Sequence, residues 1–130
     1  MNENIKEIRL DTKMATKFFA GKLAYTLGPV ELKQMLKEKK VKLIDVRAKD
    51  DFIEGHIAEA ISIPKDELQT RLSELSKNDV HVLYCYNQQC HLAAAAAFNL
   101  ASAGYPVMEL EGGINTWTED FGFELVKSLI

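Results

Sequence analysis

The stretch Val80-His81-Val82-Leu83-Tyr84 limits what this chain can fold into more than any other. It is short, apolar and rich in β-formers, as expected of a strand buried on both faces. Cys85 follows at once, then the polar segment Tyr86-Asn87-Gln88-Gln89-Cys90, then His91-Leu92 and the alanine run Ala93 to Ala97. Strand, loop and helix in that order make a βα unit, and βα units build parallel sheets. Flanked by Leu92, Phe98 and Leu100, the alanines predict a helix lying close to the sheet. Cys85 then stands where a strand ends and a helix begins. Backbone N–H groups and the positive end of a helix gather at such a junction. That field favours a thiolate, the reactive form of cysteine.

The rest of the chain repeats the alternation. Gly28-Pro29 opens a helix carrying Leu32, Met35 and Leu36 on one face, with Pro29 suited to the first helical position. Val41 to Val46 reads as a strand, Ala48 to Glu54 as a short helix closed by Gly55, and Ala60 to Ile63 as a strand stopped by Pro64. Leu68, Leu72 and Leu75 give Asp66 to Leu75 a helical spacing. Gly104 suits the position just past the alanine helix, Val107 to Leu110 forms a further strand, and Gly112-Gly113 opens a last helix with Ile114 and Trp117. The fold class is α/β, with a central parallel sheet of about five strands flanked by helices on both faces. In such sheets ligands bind beyond the carboxyl ends of the strands, where Cys85 lies.

Residues 1–27 read as an N-terminal helical extension and residues 28–130 as the domain. Thr12 to Leu27 sets Phe18, Phe19, Leu23 and Leu27 among Lys13, Lys17 and Lys22, a basic amphipathic pattern. Two readings stay open: a helix packing its aromatic side on its own domain, or a docking face for a partner or a membrane surface.

Composition removes several function classes. At 130 residues the chain can bury one core without staples. A net charge of −3 lacks the basic excess of a nucleic-acid binder. No apolar run reaches the roughly 18 residues of a membrane span. Charges at Glu3, Lys6, Glu7 and Arg9 interrupt any signal-peptide pattern, so cytoplasm is the expected compartment. The two cysteines share one loop, where a disulfide would constrain little chain.

Three groups of residues together resemble the rhodanese-like domain family. Ile44-Asp45-Val46-Arg47, Phe52-Ile53-Glu54-Gly55-His56-Ile57 and Ala60-Ile61-Ser62-Ile63-Pro64 are similar to its opening. Leu83-Tyr84-Cys85, a short loop and an alanine-rich helix resemble its active-site region. Gly104-Tyr105-Pro106-Val107, Leu110-Glu111-Gly112-Gly113 and Trp117 resemble its closing motif. The resemblance implies a single-domain sulfurtransferase. Cys85 would take a sulfane sulfur from thiosulfate or a persulfide, become a persulfide itself, and pass the sulfur to a thiol or cyanide acceptor. It implies no metal or organic cofactor. The six-residue loop from Cys85 to Cys90 has the sulfurtransferase length, and no arginine follows Cys85, which argues against the family's phosphatase branch.

The loop departs from the family pattern. It has no glycine, and Cys90 stands where arginine or threonine is often found. Without a fixed cation, thiosulfate activity is expected to be weak, with preference for a protein persulfide or a small-molecule persulfide. The loop residues Tyr86, Asn87, Gln88, Gln89, Cys90 and His91 are the expected sulfur-binding set, acting mainly through N–H groups. Cys90 reads either as a resolving thiol or as a small residue at a helix start. His91 reads either as a helper of donor binding or as a surface histidine. Asp45 and Arg47 read as a structural brace at a strand end, since buried charges need partners, with Glu54 the candidate partner of Arg47. His56 reads as a turn residue bonded to backbone, and Gly112, Gly113 and Trp117 as structural parts of the closing motif. Zinc binding by Cys85, Cys90, His91 and His56 or His81 matches no standard spacing. Two alternatives from other classes stand beside the enzyme: a non-catalytic partner-binding module and a Cys85/Cys90 redox sensor.

Overall fold

A computed structural model describes residues 3–128. Five strands make one parallel sheet: β1 (Thr26–Leu27), β2 (Lys42–Asp45), β3 (Ile61–Ser62), β4 (His81–Tyr84) and β5 (Val107–Leu110). Their spatial order is β1-β5-β4-β2-β3, with β4 central and Ile44 level with Leu83. The helices are α1 (Glu3–Leu10), α2 (Thr12–Tyr25), α3 (Pro29–Lys37), α4 (Lys49–Glu54), α5 (Leu92–Ser102) and the short α6 (Gly113–Asn115), which widens into a π-helical turn over Thr116–Asp120.

Side chains alternate across the sheet, and each face carries its own core. Leu43, Val82, Tyr84 and Leu110 pack with Leu32 and Leu36 of α3 and with Trp117. Ile44, Val46, Leu83 and Cys85 pack with Ala93, Ala96 and Leu100 of α5 and with Leu68. Ala93, Ala96 and Leu100 form one helical face, and Phe98 falls off it and is exposed. The helix ends as Gly104 predicts. Gly104 has φ +94°, its N–H reaches the Ala101 carbonyl at 3.0 Å, and the Tyr105 N–H reaches Leu100 at 3.0 Å.

Two expected helices change. The extension expected over residues 1–27 stops being helical at Tyr25, because Thr26 and Leu27 pair with Glu109 and Leu110 as the sheet's edge strand. Pairing across the sheet overrides the helical pattern there. Asp66 to Leu75 becomes two 3₁₀ turns, Lys65–Thr70 and Leu72–Glu74. Of its leucines only Leu68 is fully buried, so one long packed face never forms. Arg71, at the break, binds Glu67, Glu74 and the Ser62 carbonyl instead.

From β2 the chain crosses outward to β3, and from β4 it crosses the other way to β5. The carboxyl ends of β2 and β4 therefore flank the point where strand order reverses, the usual crevice of an open α/β sheet. Among the described residues no helix is long and apolar enough to cross a membrane.

Candidate active site

Cys85 closes β4 at that crevice and is only 2% exposed. Its loop is held from two sides. From the closing motif, the N–H of Ile114 binds the Cys85 carbonyl at 2.9 Å and the N–H of Asn115 binds the Tyr86 carbonyl at 3.0 Å. These short bonds require Gly113, which has φ +61°. A Cβ there would lie 2.6 Å from the Cys85 carbonyl oxygen and 2.9 Å from the Asn87 nitrogen. From the β2 side, the Tyr86 hydroxyl donates to Asp51 and accepts from the Ala48 N–H at 3.4 Å.

Within the loop, Asn87 turns the chain back on itself. Its side-chain oxygen accepts from the N–H of Gln89 at 3.1 Å and of Cys90 at 2.9 Å. These two N–H groups, expected to face the sulfur, are thus taken by Asn87. The amides that act on the Cys85 sulfur are those of Ala93 and Tyr86. Gln88, Gln89 and His91 are exposed, while Tyr86, Asn87 and Cys90 are half-buried.

The electrostatics differ from the sequence expectation. Burial pushes the Cys85 thiol up to about 11, aided by its hydrogen bond with Cys90 and only partly opposed by the Ala93 and Tyr86 amides. Loss of solvation outweighs the helix-start field. For Cys90 burial also acts upward. Hydrogen bonds from Cys85, Leu92 and Tyr86 outweigh it and hold Cys90 below its ordinary value. The two thiols titrate as a linked pair in which Cys90 gives up its proton more readily than Cys85. The Cys85 thiol also lies 3.6 Å from the Cys90 carbonyl oxygen. Both cysteines are free thiols.

The remaining motif residues lie around this pair. Asp45, 0% exposed, and Arg47, 5% exposed, form a buried ion pair at 2.8 Å. Arg47 also donates to the Gly55 carbonyl at 2.7 Å and stands 5.8 Å and 5.5 Å from the ring centres of Tyr84 and Tyr86. Its partners are therefore Asp45 and Gly55, not Glu54: β2's own end supplies a carboxylate two residues away, closer than the helix can bring Glu54. The arginine's charge is neutralised before it reaches the sulfur. His56 bonds the Phe52 carbonyl through Nδ1 at 2.8 Å and pairs by backbone with Val126. Trp117 is buried, with its indole N–H on the Glu124 carbonyl at 3.0 Å. His81 lies at the opposite end of β4 from Cys85, so those two cannot share a metal ion. Among the described residues no three His, Cys, Asp or Glu side chains gather as a metal-holding group.

One residue went unnoticed in the sequence. Glu109 of β5 is half-buried within electrostatic reach of Cys90 and His91. Burial and neighbouring Glu111 raise its pKa, and His91 opposes them. A lone carboxylate inside the strand Val107-Met108-Glu109-Leu110 is the signal that would have found it.

A parallel sheet with a cysteine loop braced over its central strand defines a class of small α/β domains. The rhodanese-like domain family matches residues 28–120, and the chain belongs to it. Thiosulfate sulfurtransferase GlpE of Coxiella burnetii is 29% identical over 92 residues, covering 70% of this chain and 84% of that protein. The HTH-type transcriptional regulator Rv0324 of Mycobacterium tuberculosis is 33% identical over 107 residues, covering 82% of this chain and 47% of the regulator. The chain thus spans about half the length of that relative. The crystal structure of BH2092 from Bacillus halodurans superposes with a TM-score of 0.81 at 32% identity, covering 92% of this chain and 88% of that one.

Proposed function

We propose that this chain is a sulfurtransferase that carries sulfane sulfur on Cys85. The observation behind the reading is the Cys85–Cys90 thiol pair at the carboxyl end of the central strand, braced by the Gly113 turn. In the first step the Cys85 thiol loses its proton to solvent. The freed Cys85 sulfur then attacks the outer sulfur of the donor. The donor's sulfur–sulfur bond breaks, and sulfite leaves from thiosulfate or a thiolate from a small persulfide. In the second step an acceptor thiol or cyanide removes the outer sulfur and restores Cys85.

Two features bear on the donor. Arg47 is committed to Asp45, so no fixed cation faces the sulfur, and a doubly charged donor gains little. Cys85 is covered, so the site must open before a donor reaches it. Both favour a persulfide over thiosulfate. The test compares thiocyanate and sulfide formation from thiosulfate, mercaptopyruvate and glutathione persulfide. Glutathione persulfide is expected to be the fastest donor, with all turnover lost in Cys85→Ala. Undiminished turnover in Cys85→Ala overturns the reading.

A further inference from the structure

We propose that Cys90 is a second nucleophile of this site, one that attacks the Cys85 sulfur of the persulfide, forms a Cys85–Cys90 disulfide and expels hydrosulfide. The inference rests on the Cys85 persulfide reading and adds an intramolecular route for unloading it.

The loop's geometry supports the step. Asn87 holds the Gln89 and Cys90 amides at 3.1 and 2.9 Å, which folds the loop so that Cys90 returns over the end of β4. The Cys85 thiol reaches the Cys90 carbonyl oxygen at 3.6 Å, and Cys90 packs against the buried cluster that contains Cys85. The residue that carries the second nucleophile is therefore already beside the atom it would attack. Cys90 is half-buried while Cys85 is covered, so Cys90 is the more open of the two residues. The ionisation order agrees: in the resting pair Cys90 is the sulfur that more readily carries negative charge.

The step balances. The persulfide anion on Cys85 and the Cys90 thiol give a disulfide and one hydrosulfide ion. The bond between the Cys85 sulfur and its outer sulfur breaks as the bond to Cys90 forms, and the Cys90 proton leaves on the hydrosulfide. The two cysteines are oxidised and the sulfane sulfur is reduced. Restoring the thiols needs a dithiol reductant, which attacks the half-buried Cys90 side of the disulfide. The chain would then reduce sulfane sulfur to sulfide at the expense of a dithiol, rather than only moving it between acceptors.

The experiment uses glutathione persulfide labelled at its outer sulfur, without added acceptor and without oxygen, on the full chain. Small molecules are removed by rapid desalting, and label, released sulfide and free protein thiols are counted. The wild type is expected to release one labelled sulfide per chain and to lose both free thiols. Cys90→Ser is expected to keep the label bound to Cys85 and to release none, and Cys90→Ala should behave the same. Label that stays on the wild type as it does on Cys90→Ser overturns the role of Cys90 while leaving the Cys85 persulfide intact. Label found on Cys90 means attack at the outer sulfur and also overturns the proposal. Failure of both wild type and Cys90→Ser to take up label overturns the persulfide reading itself.

Discussion

Leu32, Leu68 and Leu100 in the sheet domain are 0%, 1% and 0% exposed, whereas Phe18 and Leu23 of α2 are 65% and 81% exposed. Both α2 and α5 carry apolar side chains beside β5, yet α5 buries Ala93, Ala96 and Leu100 and α2 buries nothing. The difference lies in what each helix meets. The small side chains of α5 settle on the broad face of β4 and β5. α2 continues straight into the edge strand, and its Lys22 pairs with Glu111 at 3.3 Å. Periodicity says which side of a helix is apolar. It does not say whether the rest of the chain has a surface to offer that side.

The contrast can be attacked where it should be strongest. Arg47→Ala would leave Asp45 buried without its partner and remove the bond to Gly55. A loss of about 3–5 kcal/mol is expected, read from denaturant unfolding. A loss below about 1 kcal/mol would mean that the brace contributes little.

A second test sets the two environments against each other through one chemical group. A thiol introduced by Phe18→Cys should ionise like a free cysteine near pH 8.5, while Cys85 ionises near 11. Near neutrality Cys85 should alkylate about 300-fold more slowly, followed peptide by peptide with iodoacetamide. Because burial favours the protonated form, raising the pH should speed Cys85 about tenfold per unit up to roughly 11, whereas the introduced thiol should level off near 9. Equal rates at pH 7 would show that the pocket does not hold the proton.

The smallest effects should come from the arm. Phe18→Ala and Leu23→Ala should each move stability by less than about 0.5 kcal/mol in thermal unfolding. A larger loss would show that the apolar side of α2 is covered in solution.

Legibility followed the same division. Val80 to Tyr84, Val107 to Leu110 and the Schellman end at Gly104 were readable because local pattern and tertiary role agree. Thr26 and Leu27 were not, since a two-residue edge strand exists only through its pairing with β5. The helix-start argument located Cys85 at the strand end. It misjudged the charge because desolvation is a property of the packed surroundings, and no residue string displays them. Likewise the spacing of Asp45, Arg47 and Glu54 suggested a partner across a helix. Asp45 and Arg47 do form the brace that their charges predict, but the guanidinium folds back on Asp45 rather than reaching Glu54.

Trp117 is the sole tryptophan of the chain. It rides on the turn that directly continues Gly113–Asn115, the segment whose amides clasp the Cys85 and Tyr86 carbonyls. Any displacement of the Cys85 loop would strain that clasp, close in the chain to an indole set edge-on against Phe123 at 4.9 Å. A single indole so placed is the natural optical probe for movement at the sulfur, with no dye attached.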